Sequence, residues 1–270
     1  MYIAIDLGGT KTLVGLLDHD GEVKKAVKFP TSENYQDFLQ ELKTSVVELI
    51  NGQEITAACM AIPGTVDRQN GIILHLGNLN WPKEIPIKAD ISTFLNCPVV
   101  IENDANTAAL SEALIVKDMY QKALYITIST GIGSGYVVDG KLDEALLDVE
   151  IGHNMYEHEG KVQEWEDFAS GSWIVKTYGK KASELEDESA WTKISENIAI
   201  GIVNAVNSLD PDVIIIGGGV GTHLPKFKDY LDDAISKIDP GFNKIPPIIQ
   251  AQRPEEAVIY GCYELAKQSV

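Results

Sequence analysis

Short apolar runs alternate with one stretch of helical spacing in the first part of the chain. Residues 2–5 and 13–17 are apolar and are joined by the turn-rich segment DLGGTKT, so they predict a hairpin of two strands. A further apolar run near 55–62 predicts another strand. Between them, a helix near 35–50 is predicted by five apolar residues at helical spacing: Phe38, Leu42, Val46, Leu49 and Ile50. This mixture indicates an α/β chain.

The same strand–turn–strand plan occurs twice. The segments YIAIDLGGTKTLVGLLD (2–18) and LYITISTGIGSGYVVD (124–139) each contain an apolar strand, a polar strand end, two or three glycines with threonine, and a second apolar strand. Repetition of this kind predicts a duplicated architecture with two similar halves. We therefore expect a small N-terminal α/β domain at 1–105, completed by a C-terminal helix at 257–270, and a larger α/β domain at 106–256.

Strands and helices continue to alternate after the first hundred residues. A buried strand at 97–101 runs into Glu102-Asn103-Asp104 and then into an alanine-rich helix at 105–115. Three further elements are predicted in the second half: helices near 190–208 and 224–237 and a buried strand at 213–216.

The charge balance narrows the set of partners. The 270 residues carry 40 acidic and 22 basic side chains, a formal net charge of −18, within an otherwise ordinary globular composition. Because affinity for DNA or RNA is built mainly from lysine and arginine on phosphates, we expect no nucleic-acid partner. The same charge disfavours binding to anionic membrane surfaces. A single nucleotide stays compatible, since backbone amides and a metal can hold its phosphates.

Cysteine usage and the lack of long apolar stretches predict the compartment. Cys59, Cys97 and Cys262 lie far apart and form no C-x-x-C pair, which favours reduced thiols. The first residues, MYIAIDLGG, lack the basic flank and cleavage site of a signal peptide. No apolar stretch approaches the ~20 residues that span a bilayer. We therefore expect a cytoplasmic protein without a membrane partner.

The segment DLGGTKT (6–12) is suited to binding phosphates. Glycine lets backbone amides approach a phosphate without a side chain in the way. Asp6 ends a buried strand, and amides and two threonine hydroxyls would curl beneath it. Its carboxylate could hold Mg²⁺ directly or through water. An ordinary hairpin turn is the alternative interpretation of this heptapeptide.

Two further glycine-rich turns also follow apolar strands. TGIGSG (130–135) resembles a dinucleotide fingerprint, but a strand follows it where that motif requires a helix. GGGVG (217–221) follows a strand and precedes a helix, which suits a nucleotide, although an ordinary strand–helix turn explains it equally well. The motif G-x-x-x-x-G-K-[ST] does not occur, so a P-loop enzyme is not expected. Three such turns together favour a phosphate ligand.

Asp104 is the candidate catalytic base. The segment ENDAN (102–106) lies between a buried strand and a helix, and such strand ends face the ligand crevice in open α/β sheets. Phosphoryl transfer to an alcohol uses a positioned carboxylate as its base. The alternative is that Asn103 or Asp104 only caps the helix.

The motifs, in their order along the chain, resemble those of the ROK family of repressors and sugar kinases, within the actin and sugar-kinase superfamily. The resemblance runs nearly end to end and is carried by eight segments: DLGGTKT (6–12), IPGTVD (62–67), NLNW (78–81), ENDANTAAL (102–110), STGIGSGYVVDGKL (129–142), EIGH (150–153), EDFASG (166–171) and IIIGGGV (214–220). It implies a two-domain, actin-like and ribonuclease H-like α/β fold with a duplicated βββαβα-type core that closes over a cleft. It also implies a homodimer and an ATP-dependent, glucokinase-like sugar kinase, which phosphorylates a free hexose or N-acetylhexosamine at the 6-hydroxyl.

The resemblance assigns roles to residues that match the family's motifs. Asp104 matches the catalytic base, and ATP and Mg²⁺ are the implied cofactors. The residues expected to bind sugar hydroxyls are Gly64, Asn78, Asn103, Asp104, Glu150, His153 and Glu166. Those expected to border the nucleotide are Gly8, Gly9, Thr10, Lys11, Thr12, Thr130, Gly131 and Gly218.

The interval after His153 departs from the family pattern. The family usually carries a zinc site built from this histidine and three cysteines, whereas NMYEHEGKVQEW (154–165) is shorter and has no cysteine, so we expect no zinc. His158 with its flanking glutamates could suggest another metal, but a solvated acidic loop is the simpler interpretation. LDEALLDV (142–149) replaces the family's usual glycine-rich loop beside the sugar, so the sequence leaves the identity of the sugar open.

Two alternatives compete with a sugar kinase. A DNA-binding repressor of this family carries a helix-turn-helix segment before the DLGGT-like turn. Here that turn begins at residue 6 and the chain is acidic, so a repressor is not expected. A catalytically quiet sugar-binding protein is suggested by the changed segments 142–149 and 154–165. Asp104 and the phosphate-binding turns argue against it.

Overall fold

The structure is a computed structural model that describes residues 1–77 and 79–270. In chain order, its first elements are β1 (Tyr2–Leu7), β2 (Lys11–Leu17), β3 (Val23–Pro30), α1 (Tyr35–Ile50), β4 (Ala57–Ile62), β5 (Gly64–Asp67), β6 (Ile72–Leu76), α2 (Ile87–Ser92), β7 (Val99–Asn103) and α3 (Asp104–Val116). The elements that follow are β8 (Lys122–Ile128), β9 (Ile132–Val138), β10 (Lys141–Leu142), β11 (Met155–His158), β12 (Lys161–Glu164), α4 (Trp165–Ala169), α5 (Gly171–Tyr178), α6 (Glu188–Leu209), β13 (Val213–Gly217), α7 (Gly218–Gly221), α8 (Leu224–Ile238), β14 (Ile248–Gln250) and α9 (Ala257–Gln268). Short 3-10 helices lie at Ile151–His153 and Ala182–Glu184.

The chain divides into two compact units. Unit 1 contains residues 1–111 and 255–270, and unit 2 contains residues 112–254. The buried carboxylate of Glu112, the first residue of unit 2, accepts hydrogen bonds from the backbone N–H groups of Gln252 at 2.7 Å and Arg253 at 2.6 Å, near the end of that unit. These bonds hold the beginning and end of unit 2 together. The repeat in the sequence predicts domain limits at 105/106 and 256/257. These limits concern domains that fold or move independently, and they remain predictions.

Each unit is built on a five-stranded sheet with the same strand plan. In unit 1 the order is β3-β2-β1-β4-β7, in which β1 is antiparallel to β2, parallel to β4, and β4 is parallel to β7. In unit 2 the order is β10-β9-β8-β13-β14, in which β8 is antiparallel to β9, parallel to β13, and β13 is parallel to β14. The repeated strand–turn–strand segments therefore form the corresponding hairpins of two similar sheets.

Both faces of the unit 1 sheet are covered by helices. Because side chains alternate along a strand, Ile3 and Ile5 of β1 pack with Phe38 of α1, while Tyr2 and Ala4 pack on the other face with α9. The helix α1 begins after Asn34, whose side-chain oxygen accepts the N–H groups of the first turn. Burial on both faces explains why β4 is apolar at every position.

The unit 2 core lies between its sheet and the helices α6 and α8. The strand β13 is buried at every position, and Ile198 and Ile202 of α6 pack in one cluster with Phe227 and Leu231 of α8. Trp165 and Phe168 of α4 join the same cluster and are almost fully buried. Among the described residues, α6 is the longest helix at 22 residues, and none of the helices is long and apolar enough to cross a bilayer.

The structure of the segment after His153 differs from the one expected from its sequence. Residues 155–164 form the hairpin β11–β12 rather than a solvated acidic loop. Its turn contains Glu159 and Gly160, both with positive φ (50° and 79°), and the N–H of Gly160 donates to the carboxylate of Glu157. His158 stacks on Phe168 with ring centroids 4.1 Å apart. The acidic residues of this segment thus flank or cap a turn, which composition alone does not indicate.

Candidate active site

The carboxyl ends of three parallel strands share one edge of the unit 1 sheet. The register places Asp6 beside Ala61 and Ile62 beside Asn103, so β1, β4 and β7 end at the same level. Ligands of open α/β sheets bind outside such ends. Four of the predicted site residues are thereby brought to this edge: Asp6, Gly64, Asn103 and Asp104.

Asp104 is the first residue of α3, and Asn103 caps this helix. The Oδ1 of Asn103 accepts the N–H groups of Ala105 at 2.8 Å and Asn106 at 3.1 Å, and its Nδ2 donates to the carbonyl of Gly64 at 3.1 Å. The Oδ1 of Asp104 accepts the N–H of Ala105 at 2.8 Å. Most of the capping role therefore falls to Asn103. The electropositive end of the helix suits an anionic base at position 104.

A buried ion pair supports the backbone beside Asp104. The Nε and Nη2 of Arg68 each lie 2.7 Å from one carboxylate oxygen of Glu102, which is only 4% exposed. The Oε1 of Glu102 also accepts the N–H of Asn103 at 2.7 Å and the Nδ2 of Asn106 at 3.0 Å. Such a bidentate pair holds a fixed geometry. Arg68 was missed in the sequence analysis, because only the fold brings it beside residue 102.

Gly64 and the turn 8–12 are held tightly by backbone contacts. A Cβ at Gly64 would lie 2.1 Å from the carbonyl oxygen of His75, so no larger residue fits there. The N–H of Gly8 donates to the carbonyl of Lys11 at 3.1 Å. Thr12 is fully buried and shares a 2.9 Å hydrogen bond with the hydroxyl of Thr31. Of the predicted nucleotide residues in this turn, those with accessible surface are Gly8, Gly9, Thr10 and Lys11.

Asp6 is suited to a role as a magnesium ligand. Burial raises the pKa of Asp6 to about 6, and the positive charge of Lys28 opposes that rise. A carboxylate that is costly to ionise alone gains from a nearby cation. Mg²⁺ commonly takes one or two protein carboxylates and completes its shell with phosphate oxygens and water. A carboxylate beside a phosphate-type turn fits that donor set.

Unit 2 has a cavity of about 610 Å³ at the corresponding edge of its sheet. Thr130 follows β8 and Gly219 follows β13, and both line it. Its other walls include Val175 and Val220, which are apolar, and two lysines, Lys176 and Lys181. A volume of this size accommodates a small-molecule ligand such as a nucleotide.

The sequence analysis identified only part of this cavity. Gly218 is not one of the residues that line the cavity. Its backbone packs closely on β8, because a Cβ there would lie 2.5 Å from the carbonyl oxygen of Ile128. The two lysines of α5 and the following segment were not predicted, although basic residues are scarce in this acidic chain.

The candidate sugar residues of unit 2 converge around the 3-10 helix Ile151–His153, which Glu150 precedes. The N–H of Ile132 donates to the Oε2 of Glu166 at 3.0 Å, and the Nδ1 of His153 lies 2.8 Å from the Oε2 of Glu164. His153, Glu164 and Glu166 each have a polar atom within 4.8 Å of the others. The hydrogen bond with Glu164 raises the pKa of His153, and the charges of Glu166, Glu164 and Glu150 add to that effect.

These donors do not match the zinc site of one histidine and three cysteines that is usual in the family pattern. All three cysteines lie in unit 1, so the residues around His153 offer no thiolate. The Nδ1 of His153 is bonded directly to a carboxylate. Among the predicted sugar residues, Asn78 lies outside the described part of the chain.

Comparison with known proteins gives consistent matches over the full length. A model of the ROK family matches residues 2–269. The chain is 24% identical to a glucokinase of Streptomyces coelicolor over 99% of its own length and 98% of that protein. It is 28% identical to an N-acetyl-D-glucosamine kinase of Haemophilus influenzae over 98% and 99% of the two chains.

A solved structure shows the same fold. A ROK family glucokinase of Streptomyces griseus in complex with glucose and AMPPNP matches with a TM-score of 0.83 at 23% identity, over 99% of both chains. The predicted α/β fold with a duplicated core is thereby confirmed as that of this kinase structure.

Proposed function

The chain belongs to the ROK family, and we propose that it is an ATP-dependent sugar kinase. It transfers the terminal phosphoryl group of ATP to a hydroxyl, the 6-hydroxyl by family expectation, of a free hexose or N-acetylhexosamine. The position of Asp104 carries this proposal. Its carboxylate lies at a strand end, at the N-terminus of α3 and beside a rigid ion-paired network, which is how a general base is held in place.

In the reaction, the sugar oxygen attacks the terminal phosphorus while its proton passes to the carboxylate of Asp104. The bond between that phosphorus and the bridging oxygen breaks, and ADP leaves with the bonding electrons. Magnesium held by Asp6 and the phosphates would neutralise charge on the transferred group. Asp104 thus supplies the proton acceptor, and its fixed position supplies orientation.

The nucleotide is proposed to use the amides of the unit 1 turn and the unit 2 cavity. Gly8, Gly9, Thr10 and Lys11 offer accessible donors in the first. Thr130 and the lysines of the second can bind phosphates, and its valines can pack on the base. This division is supported by the chemistry of the two places, since the unit 2 cavity has valines and lysines in its walls and the unit 1 turn offers mainly backbone donors.

The sugar is proposed to be held by carboxylates, amides and one imidazole. The main candidates are Asn103, Asp104, Glu150, His153 and Glu166, with Gly64 and Asn78 as further candidates. Such groups hydrogen-bond several hydroxyls at once and so select which hydroxyl reaches the base. The relatives are named for glucose and N-acetyl-D-glucosamine, so both classes belong in the test panel.

A coupled assay of ADP release tests the function directly. Purified protein with ATP and Mg²⁺ is expected to turn over at least one sugar of a panel of hexoses and N-acetylhexosamines. Folded protein that is inactive with the whole panel, yet binds a sugar by calorimetry, would instead support the catalytically quiet alternative.

We further propose that the protein forms a homodimer, does not require zinc and does not bind nucleic acid. The dimer rests on the family resemblance, and the lack of a zinc requirement rests on the absence of thiolates around His153. Light scattering is expected to give twice the chain mass of 29.5 kDa. Metal analysis is expected to find no stoichiometric zinc.

A further inference from the structure

The hairpin β11–β12 places Glu164 beside His153. Met155 pairs with Glu164 across the hairpin, and the carbonyl of Asn154 accepts the N–H of Trp165 at 3.0 Å. The chain therefore returns to its starting point after ten residues. As a result the Oε2 of Glu164 lies 2.8 Å from the Nδ1 of His153.

This contact has little value for stability. The side chains of His153 and Glu164 are 55% and 39% exposed, and such surface pairs contribute little to folding. The backbone on both sides is nevertheless closely packed. Gly152 packs so closely on the carbonyl of Ile132 that a Cβ would lie 2.0 Å from its oxygen, and the fully buried Trp165 follows Glu164. Glu164 is also the N-cap residue of α4, but its exposed contact with His153 is not needed for that structural role and points to a role in the site.

We infer that Glu164 is a positioning residue of the sugar site: it accepts the Nδ1–H of His153, fixes the imidazole ring and leaves Nε2 as the atom that binds a sugar hydroxyl. This inference rests on the proposed function, in which His153 binds sugar. A neutral imidazole has one N–H donor and one acceptor nitrogen, and the hydrogen bond made by one nitrogen determines the role of the other. With its proton on Nδ1, the neutral ring accepts at Nε2.

The charges around the ring agree with this arrangement. Besides Glu164, the carboxylates that act on His153 are Glu166 and Glu150, and together they raise its pKa. When the ring is protonated, Nδ1 still donates to Glu164, and Nε2 becomes a donor. A sugar hydroxyl can both donate and accept, so Glu164 defines the same binding atom in either state.

Kinetics of two variants test the role. Glu164→Ala removes the acceptor and is expected to raise the sugar KM about 10-fold, close to the value of one net hydrogen bond, with little change in kcat or in the KM for ATP. Glu164→Gln keeps an acceptor oxygen and is expected to raise the sugar KM less, by about 3-fold. Glu159→Gln is the matched control, because Glu159 lies in the same hairpin and pairs with Lys193 at 3.1 Å instead. It should leave both KM values unchanged.

The tautomer of the ring gives a readout that does not depend on activity. Long-range ¹H–¹⁵N spectra above the pKa of His153, assigned with a His153→Gln variant, should show the proton on Nδ1 in the wild type and in Glu164→Gln. In Glu164→Ala the proton should move to Nε2. A wild-type ring protonated on Nε2, or an unchanged sugar KM in a folded Glu164→Ala variant, would overturn the inference. If the wild type phosphorylates no sugar, the proposed function fails, and the tautomer still decides whether Glu164 positions the ring.

Discussion

Unit 1 and unit 2 share one order of five strands, yet the corresponding edges of their sheets carry different side chains. In unit 1, carboxylates stand at the ends of β1 and just after β7, namely Asp6 and Asp104. In unit 2, Thr130 and Gly219 follow β8 and β13, and a cavity opens beside them. The described residues that line this cavity include two lysines and no carboxylate.

This difference shows that the topology determines where a ligand can bind, whereas the residue types determine which chemistry occurs there. The carboxyl ends of parallel strands share an edge whatever their side chains, so the duplication provides a binding location twice. Carboxylates accept protons and cations, whereas hydroxyls, amides and lysines bind anions. We therefore assign proton transfer and metal binding to unit 1 and most of the nucleotide binding to unit 2.

The strongest test of the unit 1 assignment is Asp104→Asn. The amide cannot take the proton of the sugar hydroxyl, so we expect kcat to fall by at least about 10²-fold. Sugar binding should persist, because the amide still forms hydrogen bonds. Steady-state kinetics measure the first effect and calorimetry with sugar measures the second.

A matched control for this variant is Asp37→Asn, which makes the same change in the exposed first turn of α1. It should retain wild-type kcat. Near-normal turnover by Asp104→Asn would show that the edge of unit 1 does not contain the base.

The unit 2 assignment is tested by filling the cavity. A Cβ at Gly219 meets no atom within 4 Å, so a valine there has room and its methyl groups would occupy space beside the lining. We expect Gly219→Val to fold normally and to raise the KM for ATP about 10-fold by displacing ligand atoms, with the sugar KM unchanged. A folded variant with normal kinetics for ATP would exclude this cavity as the nucleotide site.

The parts of the fold that could be predicted are those with a clear pattern of apolar residues along the sequence. Strands β4 and β13 are buried at every position and so read as continuous apolar runs. By contrast, β3 is an edge strand with exposed lysines, and β11–β12 is a short, mostly polar hairpin. Of these residues only Phe29 in β3 is buried, and β11 and β12 bury none. A continuous buried apolar run is what makes a strand recognisable in the sequence.

The site divides in the same way. Asp104 and the glycine turns lie in short sequence motifs, so their chemistry could be predicted from neighbouring residues alone. Their roles remain proposals. Arg68, Lys176 and Glu164 gain significance only through partners or neighbours that the fold provides; Arg68, for example, meets Glu102 across 34 residues. Pairing over such separations leaves no local pattern, so a single sequence does not reveal it.

A smaller effect is expected for Glu166→Gln. The N–H of Ile132 already holds one oxygen of Glu166, and the glutamine can keep that bond while losing the charge offered to sugar hydroxyls. We expect the sugar KM to rise about 10-fold and kcat at saturating sugar to fall less than about 3-fold. Glu188→Gln, in the exposed first turn of α6, is the control and should change neither value. A loss of kcat as large as that of Asp104→Asn would place Glu166 in the chemical step. The assignment of proton transfer to unit 1 alone would then be wrong.

The smallest effects come from one pair of alanine substitutions, which compare the two glycine turns directly. A Cβ at Gly8 would lie 2.6 Å from the carbonyl oxygen of Lys11, so the backbone must move; we expect about 1–2 kcal/mol of destabilisation and a higher KM for ATP. A Cβ at Gly131 would instead lie 2.5 Å from the Oε2 of Glu166, the end of a flexible side chain. Gly131→Ala should therefore cost less than about 0.5 kcal/mol while raising the sugar KM about 3-fold, because it displaces the carboxylate that we propose binds the sugar. Thermal melts and the two KM values separate these outcomes. If Gly131→Ala changed only the KM for ATP, the turn of unit 2 would act as the turn of unit 1 does, and the duplicated hairpins would have kept one function rather than diverged.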